Sequence, residues 1–108
     1  MRAVPIKNDV RLERELEDLL VNLNPDTPWR ERQIAAQKLG NLANPNALPA
    51  MLNFLRADPF WMVRCALIQA VEIIGDIGAV ATLQEVAAAD DFEIVRGYAA
   101  QAIERLTV

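Results

Sequence analysis

A chain of 108 residues, 53% hydrophobic and 24% charged, is long enough to bury a core of its own and too apolar to remain disordered. Its formal net charge of −4 disfavours an electrostatic grip on nucleic acid. With no His, no Ser and a single Cys, it cannot build Ser-His-Asp or Cys-His catalysis, histidine metal sites or Cys-rich zinc sites.

Residues 1–8 read as a short mobile arm interrupted by Pro5 and Asn8. They lack the apolar run of a signal peptide, and no 18-residue apolar run follows, so a cytoplasmic chain without membrane attachment is the expectation. From Asp9 to about Leu23, Leu12, Leu16, Leu19, Leu20 and Leu23 recur at helical spacing. Asn24-Pro25-Asp26-Thr27-Pro28 ends this helix and begins the next, with Thr27 placed to cap and Pro28 at the first helical position. The second helix is expected from Pro28 to about Leu42, and the third from about Ala47 to Arg56, with Pro49 tolerated in its first turn. Asp58-Pro59 repeats the cap-then-proline signal for a fourth helix reaching Ile74. Gly75-Asp76-Ile77-Gly78 has neither the lysine nor the spacing of a phosphate loop and reads as a helix terminator. A fifth helix is expected from about Ala79 to Ala88, and a sixth from about Phe92 to Leu106 after Asp90-Asp91.

The helices come in pairs that repeat every 32 residues. Asp26, Trp29, Arg32, Gln37 and Leu39 match Asp58, Trp61, Arg64, Gln69 and Val71, and the last unit continues with Asp90, Arg96, Gln101 and Ile103. In the second helix of each pair, Ile34/Ala66/Tyr98, Ala35/Leu67/Ala99, Leu39/Val71/Ile103 and Leu42/Ile74/Leu106 form the expected core stripe. Such pairs bury their faces fully only against neighbouring pairs. The first unit departs as an end unit should, with Glu31 for Val63/Val95 and Lys38 for Ala70/Ala102.

Val63-Arg64, Ala66, Ala70-Val71 and Ile74-Gly75-Asp76 resemble the HEAT-like repeat of the phycobilin-lyase (PBS-lyase) type. Asp90, Val95-Arg96, Ala99 and Ala102-Ile103 resemble a second copy, and Asp26, Arg32, Ala35 and Leu39-Gly40 a third. The resemblance implies an all-α solenoid of three stacked antiparallel helix pairs, right-handed, with repeats at about 9–43, 46–75 and 77–108. It also implies a structural ladder in which Asp26, Asp58 and Asp90 cap turns while Arg32, Arg64 and Arg96 bridge repeats, with Gln37, Gln69 and Gln101 in the same scaffold. Some HEAT-like hydroxylases hold di-iron through paired His-Glu motifs, but the histidines are missing here, and no cofactor is expected.

Cys65 has no His or Lys near it in sequence to lower its pKa, and reads as a small inert side chain suited to a reducing compartment. Glu72, Asp76, Glu93 and Glu104 lack a compact ligand loop and read as a solvated acidic surface. On the second helices, positions opposite the expected stripe hold Trp29, Gln33, Ala36 and Gly40; Trp61, Cys65, Ile68 and Glu72; and Glu93, Gly97, Ala100 and Glu104. Lined up on a concave face they would form an apolar trough with an acidic end, anchored by Trp61 and Ile68; alternatively, the tryptophans pack over the turns. The trough reading predicts that replacing Trp61 and Ile68 costs little folding energy. Residues 58–108 carry three Arg against eight Asp or Glu, which favours a basic or mixed apolar-basic partner. The expected function is a non-enzymatic module binding a protein or peptide, monomeric or weakly self-associating through the last helix. The alternative, from the repeat subtype, is a bilin lyase or chromophore chaperone.

Overall fold

The computed structural model describes residues 10–108; the arm expected over residues 1–8 and the helix start expected at Asp9 lie outside them. Six helices follow: α1 (Val10–Val21), α2 (Trp29–Leu42), α3 (Leu48–Ala57), α4 (Trp61–Ile74), α5 (Val80–Ala89) and α6 (Glu93–Leu106). No strand occurs among the described residues. The second helices α2, α4 and α6 lie side by side in sequence order, and α1, α3 and α5 each pack on their own partner. This is an α-solenoid of three stacked pairs.

The loops explain where the elements begin and end. Helix α1 stops two residues short of Leu23 because the Leu23 N–H turns back to the Leu20 carbonyl, which drops the fully buried Leu23 into the core. Pro28 is the N-cap of α2 rather than its first residue, and the Thr27 side chain makes no capping bond. At α4 and α6 the caps are Phe60 and Phe92, again without side-chain capping bonds. Asp58 and Asp90 stand two residues earlier, at the C-caps of α3 and α5, and accept the Phe60 and Phe92 N–H groups, each at 2.9 Å. The expected starts of the third and fifth helices fall in short 3₁₀ turns, Pro45–Ala47 and Ile77–Ala79. Asn44 and Asp76 nucleate these turns by accepting the N–H groups of Asn46 and Gly78.

The core runs along the line where the two layers meet. Leu23, Leu39, Met51, Leu55, Leu67 and Leu83 are fully buried in it, and each such side chain contributes about 1.5–3 kcal/mol. Val63, Val71 and Val95 are fully buried with them. The apolar stripe on the second helices is wider than the sequence periodicity suggested, because each touches its own partner and one or two neighbouring repeats. Ala36 and Ile68, placed opposite the stripe from sequence, are therefore buried, while Ile34, placed in it, is half exposed. Leu12, placed in the α1 stripe, is likewise exposed. At Gly40 the approach of α4 is close enough that an added Cβ would lie 2.9 Å from the Ala70 Cα.

Two helices end on left-handed residues at equivalent positions. Gly75 closes α4 at φ 76°, whereas α2 is closed at φ 49° by Ala43, whose Cβ disfavours that conformation. Ala43→Gly should therefore stabilise the chain by about 1 kcal/mol. That gain should raise the melting temperature by roughly 4–8 °C, read by thermal circular dichroism.

Candidate functional site

In the first two repeats the residues expected to line an open trough form instead the seam with the following repeat. The Trp29 ring stacks on Phe60 with centroids 4.4 Å apart, and Trp61 stacks on Phe92 at 5.9 Å. Each tryptophan at the start of a second helix thus covers the phenylalanine that caps the next one. Gln33 is half buried between repeats, and Cys65 and Ile68 are only 7% and 1% exposed. Glu72 accepts two hydrogen bonds from Arg105 of the following repeat, the shorter at 3.0 Å. Ile68 and Cys65 therefore cannot anchor a ligand as expected: α6 covers that side of α4. Only in the third repeat is the equivalent row, Glu93, Gly97, Ala100 and Glu104, exposed. Burial pushes the Cys65 thiol up, against a smaller downward pull from Arg64, so it stays protonated and a poor nucleophile. Among the described residues, no three His, Cys, Asp or Glu side chains are grouped to hold a metal ion.

At the turn end of the same seams, arginines of one repeat hold aspartates of the next. Arg32 grips Asp58 through Nε at 2.9 Å and Nη2 at 3.2 Å, with the Asp58 and Arg32 side chains 1% and 6% exposed. Its Nη1 donates to the Pro25 and Thr27 carbonyls. Arg64 repeats the grip on Asp90 at 2.8 and 3.0 Å, and its Nη1 donates to the Asp58 carbonyl. The pairing therefore runs from each Arg forward to the next Asp, not within a repeat. Partial burial pushes the Asp90 carboxyl up, but the Arg64 bonds, the Phe92 N–H and the charges of Arg64 and Arg96 outweigh it and hold the group below its ordinary value. At the two ends the pattern is half made. Arg96 donates to the Asp90 carbonyl and hydrogen-bonds no carboxylate, and Asp26 is exposed and pairs with no cation, among the described residues. A cleft of about 310 Å³ opens beside these charges, which are taken up mutually: Arg64 by Asp90, and Arg56 by Glu85 and Thr82.

Another row faces solvent on the outer side of α2, α4 and α6. Gln37, Gln69 and Gln101 form this row, all exposed and none hydrogen-bonded among the described residues. They are not part of the scaffold ladder to which the sequence assigned them. Ile34, Ile73 and Ile94 flank the row at 47%, 56% and 47% exposure, and Tyr98 is half buried beside them. Two shallow grooves meet at Gln69. One, of about 340 Å³, lies between α2 and α4 along Gln37, Asn41 and Ile73. The other, of about 270 Å³, lies between α4 and α6 along Tyr98, Gln101 and the Glu72–Arg105 pair. The 32-residue recurrence of glutamine was the available signal, but from sequence alone it could not be separated from the recurrence of the ladder.

A family model for HEAT repeats matches residues 16–104. No curated protein matches the chain.

Removing one partner of a buried ion pair strands the other, which costs about 3–5 kcal/mol. Arg32→Ala should show a loss of that size in urea unfolding, whereas Arg56→Ala, from an exposed pair, should lose about 1 kcal/mol or less. Because the Asp90 carboxyl is depressed in the folded state, its stabilisation is complete above the unfolded-state value of 3.8 and is lost as pH falls through the lower folded value. Asp90→Asn should flatten that acid limb while lowering stability at neutral pH. Ile68→Glu, at a buried seam position, should unfold the chain, contrary to the trough reading.

Proposed function

The chain belongs to the HEAT repeat family, whose repeats serve as protein-interaction and scaffold modules, and we propose that this one binds an extended peptide segment across the outer face of α2, α4 and α6. The observation that carries the reading is the row Gln37, Gln69 and Gln101, one carboxamide per repeat, exposed and without an internal partner among the described residues. A carboxamide both donates and accepts, so it can bond a peptide N–H and C=O together. Packed helices lie about 8–10 Å apart. An extended chain advances about 3.3 Å per residue, so one glutamine meets about every third peptide residue. Ile34, Ile73 and Ile94 then offer apolar contacts to side chains between those bonds. The excess of acidic groups in residues 58–108 favours basic residues at the flanks of such a segment.

The bilin alternative draws only on the repeat subtype, and no residue of this face favours it. Mixing the protein with a bilin should leave the visible absorption spectrum unchanged. A shifted and intensified band would favour the alternative.

Peptides selected from a displayed random library should carry apolar residues at intervals of about three, as the helix spacing requires. Gln69→Ala combined with Ile73→Ser alters exposed groups only, so stability should change by about 0.5 kcal/mol or less. Binding of the selected peptides should weaken by roughly 30-fold, a hot-spot loss of about 2 kcal/mol. Unchanged binding by this double variant would overturn the assignment of the face.

A further inference from the structure

We propose that copies of this chain join head to tail, the third repeat of one seating the first repeat of the next in the register of the internal seams. The half-made pairs at the two ends are complementary. Inside the chain, Arg32 reaches Asp58 and Arg64 reaches Asp90, each 26 residues ahead. Arg96 stands at the same position of the third repeat, and the carboxylate one period on, counted into a second copy, is Asp26, which lies exposed in the longer loop between α1 and α2 and not at a helix C-cap. Its Nε and Nη2, the atoms that Arg32 and Arg64 direct at a carboxylate, have no such partner among the described residues.

Two further seam contacts carry over in the same register. Gly40 abuts Ala70 across the first seam, and the corresponding residues at the join are Glu104 and Lys38, both exposed and of opposite charge. Arg56 bonds Glu85 across the α3–α5 contact, and the corresponding residues are Ala88 and Val21, both exposed and both apolar. An internal charge pair is thus replaced by an apolar pair, and a small-residue contact by a charge pair. No position in this set opposes like charges. Gly97, beside the join, meets nothing within 4 Å of an added Cβ, which leaves space for the larger side chains of the first repeat.

Such a contact is heterologous: it uses two different surfaces, so it propagates into an open chain instead of closing as a symmetric dimer. Its charges sit at exposed ends, so the association is screened by salt.

Sedimentation equilibrium at low ionic strength tests the join. The wild-type chain should show a weight-average mass that climbs with concentration through multiples of the monomer and falls back when salt is added. D26R opposes two arginines at the join, and R96D opposes two aspartates. Each alone should weaken association by about tenfold or more, a change of about 1.4 kcal/mol. Mixed in equal amounts, the two variants present complementary ends at every contact and should recover the wild-type mass distribution. Should R96D lower the melting temperature, D26R, at an exposed site, carries the test alone. A wild-type chain that stays monomeric at all concentrations, a D26R chain that associates like wild type, or a mixture of two folded variants that stays monomeric would overturn the join. Neither position lies on the glutamine face, so peptide binding by D26R should be unchanged and its loss or retention reads out separately.

Discussion

The buried grip of Arg32 on Asp58 fixes how the first two repeats meet, and the rest of the stack inherits its register. Taking two charges out of water costs several kcal/mol per ion, and the attraction between them offsets this only when the remaining hydrogen-bonding capacity is also used. Here it is used. Asp58 accepts from two guanidinium nitrogens and from the Phe60 N–H, while the third nitrogen of Arg32 reaches the Pro25 and Thr27 carbonyls. A stack slipped by one helical turn would keep much of its apolar burial but strand both charges. The rung is therefore worth less as net stability than as a penalty against every other register. Because it sets the rotation of α4 against α2, it also decides which side of each second helix faces out.

That rotation places stability and recognition on different faces of one helix. On α4, Val63, Leu67 and Val71 face the core, Ile68 and Cys65 face α6, and Gln69 and Ile73 face solvent. The two grooves flanking Gln69 differ because the seams beneath them differ. The first is drawn tight by Gly40 against Ala70, and the second carries Glu72 and Arg105. A ligand running along the glutamine row would cross one groove bordered by Glu72 and then a second that carries the Glu72–Arg105 pair.

The 32-residue period, the six helices, the left-handed Gly75 and the Asp and Arg positions were all legible in the sequence, because each is a local signal repeated at fixed spacing. The faces of the second helices were not. Ile68 and Ile73 are the same residue type five positions apart on one helix, and periodicity places a single stripe without saying how many neighbours the helix touches. With α6 on one side and α2 on the other, α4 is buried over most of its circumference, so Ile68 is core and Ile73 is surface. The start of the fourth helix, expected at Asp58-Pro59, was misplaced for a related reason. Asp58 and Asp90 look like N-caps, but their carboxylates are committed both to an Asx turn and to the preceding repeat's arginine, which moves the helix start to Trp61 and Glu93. A residue serving two contacts at once leaves only one of them visible in its own sequence neighbourhood.

In a stack of this kind each repeat is stabilised by its own packing and by the seams it shares. The middle repeat has two complete seams, each with a buried or nearly buried rung and an aromatic stack, and the outer repeats have one each. On the far side of the third repeat Glu93 takes the place of a tryptophan, a Cβ added at Gly97 would meet nothing within 4 Å, and Ala100 replaces the Ile68 that fills the seam before it. Loss of either seam would leave the rung of the other intact. These residues keep that row free of the large apolar side chains that would make stacking indiscriminate.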